Sequence, residues 1–284
     1  MALSVASLNS GSNGNCYYLG TDQDAVLIDG GLSCRETLRR MKRLGLNTEL
    51  VRAIFISHEH ADHISGVSKL AKKMNVPVFI TPDTFRYCPV EIPDPLRQEF
   101  KAYSPVVLGS LTISAFPKLH DASDPHSFIV STEVAGTGEF VRVGVFTDIG
   151  IPCEHVIKHF VQCHAAFLEA NYDEMMLEHG TYPIALKNRI RGGRGHLSNK
   201  QALQLFTDHR PAFMTHLFLS HLSHHNNSPK IVQELFQPLA GNTKIIIASR
   251  YRESEVFTIE AGGPVNQPVQ KTPTGFAYQL DLFR

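Results

Sequence analysis

The chain has 284 residues, 43% hydrophobic and 19% charged, and its 27 basic and 27 acidic side chains give a formal net charge of zero. This composition excludes an intrinsically disordered chain, and the charge balance excludes a global field that gathers polyanions. No apolar run approaches the ~20 residues of a membrane span, and the first residues lack the basic and apolar regions of a signal peptide, so a cytoplasmic protein is expected.

In chain order, LSVASLN, NCYYLG and AVLIDGG predict strands joined by tight turns, with Ser-Asn-Gly-Asn as the turn signal. Ser33 predicts the N-cap of a helix through SCRETLRRMKRLG, with Glu36 completing a capping box and Gly45 as the stop. AIFIS (53–57) predicts a buried strand, and HISGVSKLAKKM (63–74) a helix with apolar spacing at Ile64, Val67, Leu70, Ala71 and Met74. PVFIT predicts another strand, and the proline-rich stretch 84–98 a loop or irregular excursion. From 99 to 147 the pattern is β, in VVLGSLTISAF, HSFIVSTEV and FVRVGVFTD. The second half alternates: a helix near 152–160, strand AAFLEA, helices near 173–191 and 198–208, strand AFMTHLFLS, helix 228–237 and strand KIIIAS. Strands outnumber those of one parallel βαβ sheet, and helices occur in both halves. The expected fold is therefore α/β, a four-layer αββα sandwich of two mixed β-sheets flanked by helices. It is expected to occupy residues 1–260, with a Gly/Pro-rich spacer and tail over 261–284.

Five scattered cysteines without a C-x-x-C pair fit neither a disulfide framework nor a thiolate zinc site, and Cys16 and Cys34 read as small core residues. Fifteen histidines are the unusual count, and the sharpest signal is Ile-Ser-His58-Glu59-His60-Ala61-Asp62-His63 directly after a buried strand. His58 and His60, two apart in an extended segment, point the same way, while Asp62 and His63 open the next helix. Three histidines and an aspartate packed this tightly are costly to bury unless a metal occupies them.

With this H-x-H-x-D-H motif the chain resembles the metallo-β-lactamase fold family, along nearly its whole length. The resemblance implies that Asp29 in LIDGG braces the site, that His120 in PKLHDASDPHS supplies a third ligand segment, and that Asp148 in FTDIG bridges two metals. His221 in LFLSHLSHHNN matches the last histidine. One site is then His58, His60, His120 and Asp148; the second is Asp62, His63, Asp148 and His221. These ligands suit two divalent ions, Zn²⁺ or else Mn²⁺ or Fe²⁺. Two such ions about 3.5–4 Å apart would deprotonate a bridging water, which Asp62 could orient.

Three longer stretches, SLNSGSNGNCYYL, LEANYDEMMLEHGTYPIALKNRI and GRGHLSNKQA, resemble the YycJ/WalJ-type subfamily, which implies 5′→3′ DNA exonuclease activity. His224-His225 departs from the pattern and puts the coordination near His221 in question. His196, before a Ser198 N-cap, is expected to stabilise developing charge or assist the leaving group, as in related nucleases; a capping or packing histidine is the alternative. Lys187, Arg189, Arg191 and Arg194 are expected to hold a DNA backbone, unless they form a solvated face. Glu169, Asn171 and Asp173 are carried over as bracing or substrate contacts, and the Ser10-Gly11-Ser12 loop could offer N–H groups to a phosphate.

The leading expectation is a metal-dependent phosphodiesterase degrading single DNA strands in DNA repair. A small-molecule phosphodiester or thioester hydrolase and a non-catalytic metal-binding partner protein are the alternatives. The terminal Gln279-Leu280-Asp281-Leu282-Phe283 resembles the peptide by which bacterial repair enzymes dock into the sliding clamp. Phe276, Tyr278, Leu280 and Leu282 also alternate as a final strand would.

Overall fold

The computed structural model describes residues 2–262, so the terminal QLDLF and nearly all of the expected 261–284 unit lie outside the described residues. Two seven-stranded sheets make up the centre. The first contains β1 (Leu3–Asn9), β2 (Cys16–Gly20), β3 (Ala25–Ile28), β4 (Val51–Phe55), β5 (Val78–Ile80) and β6 (Arg97–Glu99). The second contains β7 (Val106–Leu108), β8 (Leu111–Pro117), β9 (His126–Glu133), β10 (Phe140–Phe146), β11 (Ala165–Glu169), β12 (His216–Ser220) and β13 (Lys244–Ile247). The chain then returns as β14 (Phe257–Ile259) to close the first sheet beside β1. Strand orders are β14-β1-β2-β3-β4-β5-β6 and β13-β12-β11-β10-β9-β8-β7. Each sheet has three antiparallel ladders and three parallel ones.

Period-two alternation sorts the side chains. Tyr17, Leu19, Val26 and Ile28 face inward and meet Phe128, Val143, Phe167 and Phe218 of the other sheet in one core. Tyr17 and Phe167 touch across that layer, with centroids 4.9 Å apart. The outward residues of the first sheet (Leu27, Ile54, Val78) pack under α1 (Cys34–Arg43) and α3 (Val67–Met74), which follows the one-turn α2 (Ala61–Ile64). The first sheet's last helix is α4 (Pro82–Tyr87). The second sheet's outer face packs under α5 (Glu154–Phe160), α8 (Asn199–His209) and α9 (Pro229–Phe236); α6 (Glu174–His179) and α7 (Ile184–Arg191) precede α8. These are the expected four layers. Among the described residues no helix is long and apolar enough to cross a membrane, and all five cysteines are free thiols.

Several boundaries differ from the sequence expectations. The helix expected over 63–74 is broken at Gly66, whose N–H turns back to Gly30 O (2.8 Å) and where a Cβ would collide with Leu32 O. The helical stretch 173–191 splits because Pro183 starts α7 afresh. In 84–98 the chain is more regular than expected: Thr81 caps α4, whose first residue is Pro82, and Arg97–Glu99 adds an edge strand. Ser33 accepts from Glu36 N as expected, but the Glu36 carboxylate goes to Arg39 and Arg40, so the capping box is half made. β14 was not anticipated, being three residues that pair with a strand near the other end of the chain.

Candidate metal centre

The chemistry-bearing residues gather at one edge of the sandwich, at the C-terminal ends of strands. His58–His63 follow β4, His120 follows β8, Asp148 follows β10, Glu169 ends β11 and His221 follows β12. Asp29, Asp148 and His221 take left-handed backbone conformations (φ 62°, 55° and 56°). Asp and His tolerate that region better than most residues, at a cost of roughly 1 kcal/mol or more each. The turns that aim these side chains are thus strained where the site needs them. Gly31 lets the LIDGG loop lie directly on this segment, since a Cβ there would overlap Asp62 O.

Each buried imidazole is oriented through its outer nitrogen. His63 Nδ1–H donates to Asp29 Oδ2 (2.7 Å), which also accepts from Ser57 Oγ (2.9 Å). Because that hydroxyl proton is spent on Asp29, His58 Nδ1–H donates to Ser57 Oγ (2.9 Å). His120 Nδ1–H donates to Gly195 O (3.0 Å), and His221 Nδ1–H to Glu169 Oε1 (3.0 Å). The opposite nitrogens therefore point inward, where a neutral ring presents its lone pair to a cation.

The inward atoms fit divalent cations. His58 Nε2 lies 3.1 Å from His60 Nδ1, which lies 3.3 Å from His120 Nε2. Mutually facing imidazole nitrogens cannot all be satisfied by a shared proton, whereas a tetrahedral ion with bonds of about 2.0–2.1 Å sets its nitrogens about 3.3 Å apart. Asp62, His63 and His221 form a second convergent group. Asp148 stands between the two: Oδ2, buried without a hydrogen bond, is 3.1 Å from His63 Nε2, and Oδ1 is 3.5 Å from His221 Nε2 and 3.9 Å from His120 Nε2.

Electrostatics follow burial and neighbours. Burial holds His58 well below the usual imidazole range and takes His120 down to about 4, so both rings are neutral near pH 7. Burial alone would lower His63 and His221 as well. Instead Asp148, Asp29 and Asp62 raise His63, while Asp148, Asp62 and Glu169 push His221 up to about 10. Burial opposes ionisation of Asp148, but His221 and His63 hold its carboxyl well below the ordinary range. Loading a cation must displace protons from such ligands. Lys118, fully buried, donates Nζ to Thr147 O (2.7 Å); the pattern that places a lysine beside these carboxylates was not visible in the sequence.

Glu169 has a larger part than the sequence suggested. Its Oε2 accepts from Ile149 N (2.7 Å) and Leu197 N (3.2 Å), while Oε1 accepts from His221 Nδ1 and from His196 Nδ1 (2.7 Å). His196 stands over the cluster, its ring centroid 5.2 Å from His120 and 5.3 Å from His221. Ser198 caps α8 as expected, with a full capping box to Gln201.

Other expected contacts are spent elsewhere. Asn171 is buried and donates to His221 O (2.8 Å), so it braces the loop that carries His221. Asp173 caps α6 by accepting from Met176 N (2.9 Å). Lys187 donates to Glu178 O, Arg189 pairs with Asp121 (2.5 Å) and Arg191 with Glu178 (2.7 Å), which leaves exposed Arg194 as the cation of that run without an ion pair among the described residues. In the first loop, Ser10 N–H goes to Ser249 O (3.1 Å) and Gly11 N–H to Asn15 Oδ1 (2.9 Å), so neither is free for a phosphate. His224 and His225 are exposed and stand outside the convergent groups, so they do not disturb His221.

A two-sheet sandwich with clustered histidines and aspartates at its strand ends is the architecture of a metal-dependent hydrolase. Residues 10–156 match the Metallo-beta-lactamase superfamily, and the chain belongs to it, in the group of the YycJ and WalJ proteins. The chain is 30% identical over 281 residues to the exodeoxyribonuclease YycJ of Bacillus anthracis, covering 98% of this chain and all of that protein. It is 29% identical over 225 residues to the exodeoxyribonuclease WalJ of Streptococcus pneumoniae strain D39, covering 78% of this chain and 81% of that one. The solved structure of the metallo-beta-lactamase fold protein YhfI from Bacillus subtilis superposes with a TM-score of 0.67 at 14% identity, over 91% of this chain and all of that one, a likeness of fold.

Proposed function

We propose that this hydrolase is a phosphodiesterase that degrades single DNA strands from the 5′ end, in the setting of cytoplasmic DNA repair. His58, His60, His120 and Asp148 would hold one divalent ion, and Asp62, His63, Asp148 and His221 a second. Bound there, divalent ions neutralise phosphoryl charge and acidify water. The observation that carries the reading is the shared Glu169 carboxylate, which fixes both His221, read as a ligand, and His196, read as standing outside the metal shell, with one oxygen. With Nδ1 committed to Glu169, His196 has its Nε2 left for a phosphoryl or leaving-group oxygen. Asp62, whose side chain is 22% exposed and which is fixed by Asn15 Nδ2 (3.1 Å), is the carboxylate open to orient the nucleophile. The YycJ and WalJ likeness supports DNA as the polymer.

Digestion of end-labelled single- and double-stranded DNA, RNA and a small phosphodiester, with Zn²⁺, Mn²⁺ or Fe²⁺ supplied in turn, tests this. Preferential shortening of single-stranded DNA from its 5′ end is expected. Turnover of the small diester with no DNA cleavage would favour the small-molecule alternative.

The QLDLF segment, Gln279 to Phe283, is proposed as a docking peptide for the bacterial sliding clamp; its support is the sequence alone. Tethering would raise the effective concentration of a neutral enzyme at DNA. Full-length protein should bind the clamp and a chain lacking 277–284 should not; equal binding by both removes the proposal.

A further inference from the structure

A second group of side chains beside the metal centre has no part in the chemistry above. After β13 the chain turns at 249–252 and is tied to the first loop and α1. Asn13 Nδ2 donates to Arg250 O (2.8 Å), and Arg40, almost wholly buried, donates Nη2 to Tyr251 O (3.1 Å). This backbone is fixed, yet the Tyr251 residue is 69% exposed. An aromatic ring held in place but left in water contributes little to the fold.

Tyr251 does not stand alone. Its hydroxyl lies 3.0 Å from His224 Nδ1, and ring contacts continue from Tyr251 to His224 (centroids 6.3 Å), to His225 (4.6 Å) and to Tyr182 (5.7 Å). The row begins next to a ligand. Ser10 Oγ accepts from His221 N (2.8 Å), and Ser10 lines a cavity of about 900 Å³ together with His224, Arg250, Tyr251 and Arg252. Arg250 and Arg252 make no ion pair among the described residues; Arg250 Nη1 is buried without a hydrogen bond, while its Nη2 donates to Ser12 Oγ (3.3 Å) and its guanidinium lies 6.0 Å from the Tyr251 ring centroid. Glu253 in the same wall is engaged by Arg43 (2.6 and 2.7 Å). With Lys244 and Glu255 counted, the wall still has an excess of cations.

Three exposed rings and the half-buried Tyr182 in a row, flanked by guanidinium groups that make no ion pair among the described residues, suit a ligand with both flat bases and phosphates. A phosphate-only ligand would leave the rings idle, and an apolar peptide would leave the arginines idle. We infer that Tyr251, His224, His225 and Tyr182 form a base-stacking row, flanked by Arg250 and Arg252, that holds the single DNA strand beside the metal centre. The inference rests on the nuclease reading above and names the residues that grip its substrate.

Base-bearing and base-free strands of equal length carry the same phosphates, so their affinity ratio isolates stacking. Fluorescence anisotropy with phosphorothioate-protected strands should show the wild-type protein preferring the base-bearing strand about tenfold. Tyr251→Ala should bring that preference to about twofold or less, and Tyr251→Phe should retain it, because stacking needs the ring and not the hydroxyl. A ratio does not depend on the folded fraction, so partial misfolding cannot mimic the loss. If Tyr251→Ala keeps the full preference, or if the wild type cleaves single-stranded DNA yet has none, the stacking row is overturned while the nuclease reading stands. If the wild type hydrolyses a small phosphodiester but neither binds nor cleaves DNA, both fall.

Discussion

Glu169 and His196 share a hydrogen bond but not a role, and substitutions can separate them. Glu169 accepts four N–H groups, two from the backbone and two from imidazoles, so it has no place for a donor. Glu169→Gln puts an NH₂ against one pair of these donors and removes the negative charge that holds His221, whose counterpart nitrogen faces Asp62 and Asp148. Metal affinity should fall about 10- to 100-fold, with turnover falling alongside. His196→Ala leaves the inward-facing ligands in place, so metal content should stay near wild type while turnover drops about 100-fold or more. Competition with a chelating dye and steady-state rates at saturating metal read the two effects. Equal losses of metal in both variants would make His196 a ligand; unchanged turnover in His196→Ala would remove its catalytic role. The inward-facing histidines and Asp148 were legible because they fall in dense or family-like motifs. The Glu169 arrangement was not: its partners are 27 and 52 residues away, and a glutamate ending a strand looks alike whether it braces a ligand or meets solvent.

At the scale of elements, strands with clear alternation were readable, and their ends proved more informative than their middles. The αββα layering follows from inward and outward faces that sequence periodicity already separates. Helix breaks were less readable, because their cause is contact with distant backbone. Gly66 fits under Leu32 O, and Gly195 lies so close to Ile190 O that a Cβ would clash, while its own carbonyl receives His120 Nδ1–H. A glycine in a sequence announces freedom, not which carbonyl it must approach. The same holds for the cationic run before His196. Its composition suggested a DNA groove, but α7 turns Arg189 toward Asp121 and Arg191 toward Glu178, a pairing that depends on tertiary placement.

The whole molecule is electrically neutral, so its attraction for a polyanion depends on which cations remain unpaired near the site. Arg194 beside His196, with Arg250 and Arg252 along the stacking row, make no ion pair among the described residues, whereas Arg189 and Arg191 are committed. Lys187 is held by a backbone carbonyl. Each phosphate contact to a single strand contributes about −0.7 to the slope of log affinity against log salt. Three contacts therefore predict a slope of about −2, shallow for a nuclease and consistent with affinity shared between stacking and charge. Anisotropy titrations of a protected single strand across salt concentrations measure it directly. A slope of about −4 or steeper would mean that Lys187, Arg189 and Arg191 leave Glu178 and Asp121 to take phosphates, restoring the groove suggested by their sequence. A slope near zero would mean that the arginines touch no phosphate, leaving the rings to hold the strand alone.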